Sequence, residues 1–329
     1  MKAAKQSIDS ELSANEAFIG AIDVGSNAMR LGIATRAPDG TPHLIQRFRE
    51  PVRLGHDAFT TGILSRQTMD NAIEAFQRFR GILDRHHIDK YRAIATSAMR
   101  DSENGYILIR RILEETDIEL ELISGDEEAQ LVHYSICRRA DLTDKLTLLV
   151  EMGGGSVEVT LCDDGKIVAA QSFKIGTVRL LEILGEGDNF NLLLREYLDG
   201  TRKKLMEMIG KRKINLCIAT GGNASAIGEL AYKTLQTKSP HQISRKLLRQ
   251  LIKQLAKLNL EERIRKLGLR PDRADVILPA AMVFHDVMSL ARVKKMAMPD
   301  ASLLDGIALD MMDSTQQTFA SKRLNLLAW

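Results

Sequence analysis

The 329-residue sequence is poor in cysteine and has no long apolar run. Its three cysteines, Cys137, Cys162 and Cys217, are far apart, and none forms a CxxC pair. Few and scattered cysteines argue against a disulfide scaffold or a zinc site and fit a reducing compartment. No stretch approaches the roughly 18 apolar residues that a membrane span needs. These absences predict a cytoplasmic protein without a membrane partner.

The sequence also lacks the motifs of secretion and of the common nucleotide-binding folds. Residues 1–16 include acidic side chains and no apolar core, which predicts a loose tail rather than a signal peptide. There is no GxxxxGK[ST] loop and no strand–GxGxxG–helix unit, so a P-loop ATPase and a Rossmann dehydrogenase are unsupported. The length predicts two domains.

The stretch VEMGGGSVEV, residues 150–159, places three glycines between two apolar segments. We expect residues 145–152 and 156–162 to be strands joined by a glycine hairpin. Glycine tolerates positive φ and lets another group approach the backbone, and a row of open N–H groups suits an anion. Two interpretations remain: a tight hairpin alone, or a phosphate loop in which Glu151 and Glu158 hold a divalent cation between them.

An internal repeat favours the second interpretation. Residues 18–34 and 147–162 share one plan: an apolar strand, an acid, one residue, a glycine, two small residues and a second strand. The two acids, Asp23 and Glu151, lie 128 residues apart. Each hairpin is followed by a third strand and then by helices and strands, a mixed α/β pattern. Two copies of one unit predict two similar domains whose loops face each other across a cleft.

Two further segments suit a polyanionic ligand. A third glycine loop, Gly221-Gly222-Asn223, follows a strand and opens a helix, and backbone N–H groups at a helix N-terminus favour anions. Residues 233–273 hold 12 Lys or Arg against 3 Asp or Glu, and SRKLLRQLIKQLAKL within them predicts an amphipathic helix with a basic outer face. That face is either a solvated surface or a landing surface for a polyanion.

Six ordered blocks resemble the exopolyphosphatase/guanosine pentaphosphate phosphohydrolase (Ppx/GppA) family. The blocks are DVGSNAMRL (23–31), ATSAMRDSEN (95–104), ISGDEEAQL (123–131), EMGGGSVEV (151–159), ATGGNASAI (219–227) and DVILPAAMVFHDVM (275–288). The resemblance implies a duplicated actin-like α/β fold, which is sugar-kinase-like and ribonuclease H-like, with an interdomain cleft. We expect domain I at 17–124 and domain II at 125–300, with a C-terminal helix in 301–329 packing back on domain I.

The resemblance also implies an activity. The family hydrolyses the terminal phosphoanhydride of inorganic polyphosphate, or converts pppGpp to ppGpp, with Mg²⁺; Mn²⁺ is the alternative cation. Glu128 occupies the position of the family's catalytic glutamate. A helix is predicted over 126–139. Judged by the residues alone, Asp126 and Glu127 fit the role of an acidic side chain at its N-terminus as well as Glu128 does.

The remaining candidate residues divide by chemistry. Charge on a transferred phosphoryl group must be met by N–H groups, arginines and a metal ion, and Mg²⁺ takes oxygen ligands. The predicted phosphate-binding residues are Ser26, Asn27, Arg30, Thr96, Arg100, Gly153, Gly154, Gly155, Ser156, Gly221, Gly222 and Asn223. The predicted metal ligands are Asp23, Glu151 and Glu158.

The sequence departs from the family pattern at a few positions. Glu151 replaces a usual Asp, Val157 a usual Thr and Ala28 a usual Ser, and the usual Arg-Glu-Gly reads Leu304-Asp305-Gly306. These changes leave open a phosphate or nucleotide sensor that binds without turnover. A kinase of the same fold is another alternative. We expect no nucleic-acid partner, and the sequence leaves a homodimer open.

Overall fold

The computed structural model describes residues 18–37, 41–185 and 190–313. The predicted tail 1–16 and the end of the predicted C-terminal helix, 314–329, lie outside these residues. The first half of the chain forms β1 Ile19–Val24, β2 Met29–Arg36, β3 Pro42–Glu50, α1 Leu54–Thr60, α2 Arg66–Arg85, β4 Tyr91–Ala95, α3 Ser97–Asp101, α4 Gly105–Thr116, β5 Leu120–Leu122 and α5 Gly125–Cys137.

The second half begins again with three strands. Its elements are β6 Leu146–Met152, β7 Val157–Asp163, β8 Lys166–Phe173, α6 Thr177–Leu184, α7 Phe190–Ile209, β9 Leu216–Thr220, α8 Gly221–Leu235, β10 Gln242–Ser244, α9 Arg245–Leu255, α10 Leu260–Leu267, α11 Pro271–Ala274, α12 Ile277–Leu290, β11 Lys295–Ala297 and α13 Leu303–Asp313.

Two mixed sheets organise these elements. The first has the order β3-β2-β1-β4-β5 and the second β10-β11-β9-β6-β7-β8. In each sheet the first three strands form an antiparallel meander, and the next strand along the chain pairs in parallel with the first: β4 with β1, and β9 with β6. The predicted duplicated α/β fold is therefore confirmed. In the described ranges, no helix combines the length and apolarity that crossing a bilayer requires.

The repeat extends to single hydrogen bonds in the two hairpins. The Gly25 N–H donates to the Ala28 carbonyl at 3.2 Å, and the Gly153 N–H donates to the Ser156 carbonyl at 3.0 Å. Gly153 follows Gly25, and Ser156 follows Ala28, by the same 128 residues that separate Glu151 from Asp23. The two glycine loops are thus copies of one turn, as the sequence repeat predicts.

Helix α1 extends the repeat to an element that the sequence pattern missed. The Gly55 N–H at its start donates to the Ser26 carbonyl at 2.8 Å. Its counterpart α6 begins likewise, with the Val178 N–H donating to the Gly154 carbonyl at 2.8 Å. With only seven residues, α1 is too short to give a clear 3.6-residue apolar period.

The sheets share a buried core built around α5 and α13. Helix α5 packs on the second sheet and α13 on the first, and the two helices contact each other. Gly306 permits this approach, because a methyl group there would lie 2.6 Å from the Leu131 carbonyl carbon. The predicted domain boundaries, 17–124 and 125–300, stay predictions.

Candidate active site

A cavity of about 520 Å³ lies where the three glycine loops converge. Its wall combines backbone of the β1–β2 and β6–β7 hairpins with the start of α8. The predicted residues that line it are Asp23, Ser26, Asn27, Arg30, Thr96, Glu128, Glu151, Gly153, Gly154, Ser156, Gly221, Gly222 and Asn223. The structure thus brings together residues that are distant in the sequence.

Glu128 enters the cavity from the first turn of α5. The helix begins at the N-cap Ser124, whose hydroxyl accepts the Glu127 N–H at 3.1 Å. Arg100 holds the Glu128 carboxylate, since Nη1 and Nη2 donate to the same oxygen, Oε2, at 3.2 and 3.1 Å. Among the described residues, Oε1 accepts no protein hydrogen bond. One carboxylate oxygen is therefore anchored and the other remains available.

The electrostatics around Glu128 favour its protonated form. Burial raises the pKa of its carboxyl well above the usual range, and the neighbouring Glu158 and Glu151 carboxyls add to the rise. Arg100 opposes this shift through its charge and its hydrogen bonds. A carboxylate with a raised pKa is a stronger proton acceptor than an exposed one, once it is ionised.

The structure separates Glu128 from the two acids that the sequence could not distinguish from it. Glu127 accepts the Arg92 Nη2 hydrogen bond at 2.8 Å and does not line the cavity. Asp126 is exposed and does not line it either. Of these three consecutive acids, Glu128 alone can reach a ligand in the cavity.

The glycine loop 153–155 turns its carbonyls away from the cavity. The Gly153 and Gly154 carbonyls accept from the Thr177 N–H at 3.1 Å and the Val178 N–H at 2.8 Å, at the start of α6. Within the described ranges, the Gly154 and Ser156 N–H groups have no protein acceptor. Both residues line the cavity, so their N–H groups are available to an anion.

Space, rather than positive φ, explains these glycines. None of the three has a positive φ, so this loop does not use the tolerance of glycine for left-handed geometry. A methyl group on Gly154 would lie 3.0 Å from Ser26 Cβ, and one on Gly155 would lie 2.8 Å from Ser26 Oγ. The loop packs directly on its counterpart, and side chains there would force the two apart. Gly221, in the third loop, does have a positive φ of 86°.

Glu151 and Glu158 form a buried acidic pair. They face each other in the register of β6 and β7. Ser172 Oγ donates to Glu158 Oε1 at 2.8 Å, but Oε2 of each glutamate is buried without a partner in the described chain. Burial raises the pKa of both carboxyls, and Glu158 raises that of Glu151 further. Two carboxyl oxygens without a protein partner, on register partners of one hairpin, are a donor set that suits a divalent cation.

Asp23 differs from its counterpart Glu151. Its register partner on β2 is Arg30, whose Nη1 donates to Asp23 Oδ2 at 2.7 Å. Over the residues described, no three His, Cys, Asp or Glu side chains form a metal-binding cluster. Asp23 is thus paired with an arginine, whereas Glu151 and Glu158 each keep a carboxyl oxygen without a partner among the described residues, and the three metal ligands stay predictions.

Several predicted phosphate ligands use their side chains within the protein. Asn27 Nδ2 donates to the Asp272 carbonyl at 2.9 Å, and Asn223 Nδ2 donates to the Met152 carbonyl at 3.2 Å. Arg100 does not line the cavity, because its guanidinium binds Glu128 and the Ile123 carbonyl. Gly155 and Glu158 are likewise absent from the cavity wall: Gly155 is buried between the loops, and Glu158 is buried on β7.

The cavity also has a basic wall that site prediction from the sequence missed. Arg49, Arg270 and Arg273 line it beside Arg30. Arg273 is buried, binds Asn223 Oδ1 through Nη1 and leaves its Nε without a partner among the described residues. Burial lowers the pKa of Arg273 to about 10, and the charge of Arg30 contributes. The sequence signal was the basic excess in 233–273, which includes Arg270 and Arg273.

The fold and the site together define a class of protein: two similar α/β units, one built on each sheet, with a cleft lined by glycine loops and arginines and a buried carboxylate, Glu128, in its wall. Residues 33–315 match the Ppx/GppA phosphatase family. The chain therefore belongs to that family, which confirms the resemblance read from the six sequence blocks.

Individual relatives agree with this assignment. Exopolyphosphatase 1 of Mycobacterium tuberculosis is 26% identical over 305 residues, covering 90% of this chain and 88% of that protein. A guanosine-5'-triphosphate,3'-diphosphate pyrophosphatase of Vibrio vulnificus is 23% identical, covering 92% of this chain and 61% of that protein. The crystal structure of an exopolyphosphatase from Cytophaga hutchinsonii superposes with a TM-score of 0.84 at 28% identity, covering 90% of this chain and 98% of the other.

Proposed function

We propose that this chain releases terminal orthophosphate from inorganic polyphosphate or from pppGpp, giving ppGpp, with Glu128 as the general base. The observation that carries the proposal is the placement of Glu128. Its carboxylate faces the cavity beside two glycine loops, anchored through one oxygen by Arg100. Oε1 can orient a water molecule and accept its proton as the water oxygen attacks the terminal phosphorus. The bridging oxygen then leaves with the shortened chain.

The cleft supplies groups that would stabilise the negative charge of the reacting phosphate. The N–H groups of Gly154 and Ser156, together with the guanidinium of Arg30, can bind its oxygens. We further propose that Mg²⁺, or Mn²⁺, binds at Glu151 and Glu158, whose unpartnered oxygens fit a cation. When bound, the cation would neutralise charge on the phosphoryl oxygens and on this acidic pair.

Of the two substrates, the basic surroundings favour polyphosphate. Arg270 and Arg273 line the cavity and stand at the end of the basic segment that contains α9 and α10. On α9, Leu248, Leu251 and Leu255 are buried, and the basic side chains lie on the other face. A phosphate chain longer than the cavity could continue along this surface.

Phosphate release from long-chain polyphosphate, tripolyphosphate and pppGpp tests the proposal, with Mg²⁺, with Mn²⁺ and with a chelator. We expect cation-dependent release of orthophosphate, faster from polyphosphate than from pppGpp. A protein that binds tripolyphosphate but releases no phosphate from any of the three substrates would contradict the proposal, and would support the sensor alternative.

A further inference from the structure

Arg179 joins the two halves of the molecule immediately behind the glycine loop 153–155. It lies in the first turn of α6, and its side chain is only 10% exposed. Its Nε donates to the Gly155 carbonyl at 2.7 Å. The Thr177 and Val178 N–H groups bind the Gly153 and Gly154 carbonyls. Residues at the start of α6 therefore bind all three carbonyls of the loop.

The other side of the Arg179 guanidinium contacts the first half of the chain. Nη2 forms an ion pair with Asp101 at the end of α3. The guanidinium also stacks on Phe59 of α1, with Cζ 3.9 Å from the ring centroid. One buried group therefore fixes the loop carbonyl and binds two elements of the opposite unit at the same time.

The neighbouring contacts indicate that this junction sets the spacing of the two loops. A methyl group on Gly155 would lie 2.5 Å from Phe59 Cζ and 2.8 Å from Ser26 Oγ. Ser26 Oγ is itself hydrogen-bonded to Ser97 Oγ at 3.0 Å. Phe59, Ser26 and Ser97 all belong to the first unit. Phe59 contacts both Arg179 and Gly155, so the Arg179 contacts lie next to the place where the two loops pack together.

We propose that Arg179 is a positioning residue that holds the 153–155 loop against the first unit, so that the Gly154 N–H and the Ser26 loop meet the same phosphate. This inference rests on the proposed function for its kinetic consequence. Arg179 does not line the cavity, so it acts through the loop and not on the ligand. A displacement of about 1 Å in a reacting group can lower a rate by about 100-fold.

Lys174 offers a matched control. Its ammonium pairs with the same carboxylate, donating to Asp101 Oδ1 at 2.8 Å, but it is exposed and has no contact with the glycine loop among the described residues. Lys174→Met therefore removes one cation from Asp101 and leaves the loop anchored. If Arg179 acted only through its ion pair with Asp101, Arg179→Ala and Lys174→Met would behave alike, because each removes one cation from that carboxylate.

The kinetic test uses the full chain with tripolyphosphate as the probe. We expect Arg179→Ala to lower kcat by about 10- to 100-fold with KM changed only a few-fold. We expect free guanidinium to restore part of the lost rate. Arg179→Lys should be intermediate, because an ammonium cannot fill the fork between a carbonyl and a carboxylate. Lys174→Met should retain wild-type kcat. Equal kcat per folded molecule in Arg179→Ala and Lys174→Met would overturn the inference.

Amide hydrogen exchange provides a second readout that does not depend on turnover. In Arg179→Ala and Arg179→Lys, exchange of the Gly153, Thr177 and Val178 amides, whose hydrogen bonds hold the loop, should accelerate relative to wild type and to Lys174→Met. If the wild-type chain releases no phosphate, the proposed function fails while this comparison still decides the role of Arg179. Unchanged exchange in folded Arg179→Ala would overturn it.

Discussion

The glycine loop 153–155 yields a graded prediction, because its three glycines differ in the space around them. A methyl group on Gly153 would have its closest contact at 3.4 Å, with the Ser156 carbonyl oxygen. On Gly154 it would meet Ser26 and Val178 at 3.0–3.1 Å. On Gly155 it would lie within 2.5 Å of Phe59 and closer still to Ser97.

The magnitudes follow from this crowding. Inserting a methyl group into a well-packed site costs about 1–3 kcal/mol of unfolding free energy. Gly155→Ala should reach the upper end of that range, because its neighbours belong to the opposite unit and must move with it. Gly154→Ala should cost about 1 kcal/mol. Gly153→Ala should be near neutral, since its φ suits alanine.

Thermal or urea denaturation of the three alanine variants measures the order directly. We expect Gly155→Ala to be the least stable and Gly153→Ala to match wild type. Calorimetry with tripolyphosphate should find weakened binding in Gly155→Ala, because the loops would be pushed apart. Equal stability of Gly153→Ala and Gly155→Ala would refute the direct packing of one loop on the other.

Three further predictions concern the acidic pair and the basic segment. Burial raises the pKa of Glu151, so the folded protein favours the protonated carboxyl. The free energy of unfolding should therefore decrease as the pH rises above the ordinary glutamate pKa, about 4.3. Glu151→Gln should therefore raise the Tm at pH 8 without divalent cation, with little gain at pH 4; a lower Tm at pH 8 would contradict this. Glu151→Asp withdraws the carboxylate by about 1.5 Å and should change the Mg²⁺ or Mn²⁺ dependence of phosphate release, whereas an unchanged dependence would argue against Glu151 as a metal ligand. The double variant Lys253→Glu with Lys257→Glu should lower the affinity for long polyphosphate more than the affinity for tripolyphosphate. It should also reduce the salt dependence of long-chain binding. An equal loss of affinity for both ligands would indicate that this face is only solvated.

Much of the site could be predicted because it is built from backbone. The hairpins, the small residues between their strands and the spacing of 128 residues between Asp23 and Glu151 all follow from local periodicity. Such turns fold in the same way wherever the strands pair in register. Pairing of Glu151 with Glu158 therefore follows from a hairpin between residues 152 and 157.

Side-chain partners were harder to predict, because they depend on contacts far apart in the chain. Nothing local indicates that Arg100 binds Glu128, 28 residues further along the chain. Arg179 was missed for the same reason, since its partner Asp101 lies 78 residues away. The homodimer, the bound cation and the cytoplasmic location stay predictions.

The most direct test of the central claim compares Glu128→Gln with Glu127→Gln. Glutamine keeps the shape of Glu128 and can still accept from Arg100, but it cannot take a proton from water. We predict that phosphate release from polyphosphate falls by about 10²–10⁴ in Glu128→Gln, with tripolyphosphate binding retained. Glu127→Gln, which alters a neighbouring carboxylate paired with Arg92 outside the cavity, should keep wild-type turnover. Equal turnover in Glu128→Gln and wild type would contradict the assignment of Glu128 as the base.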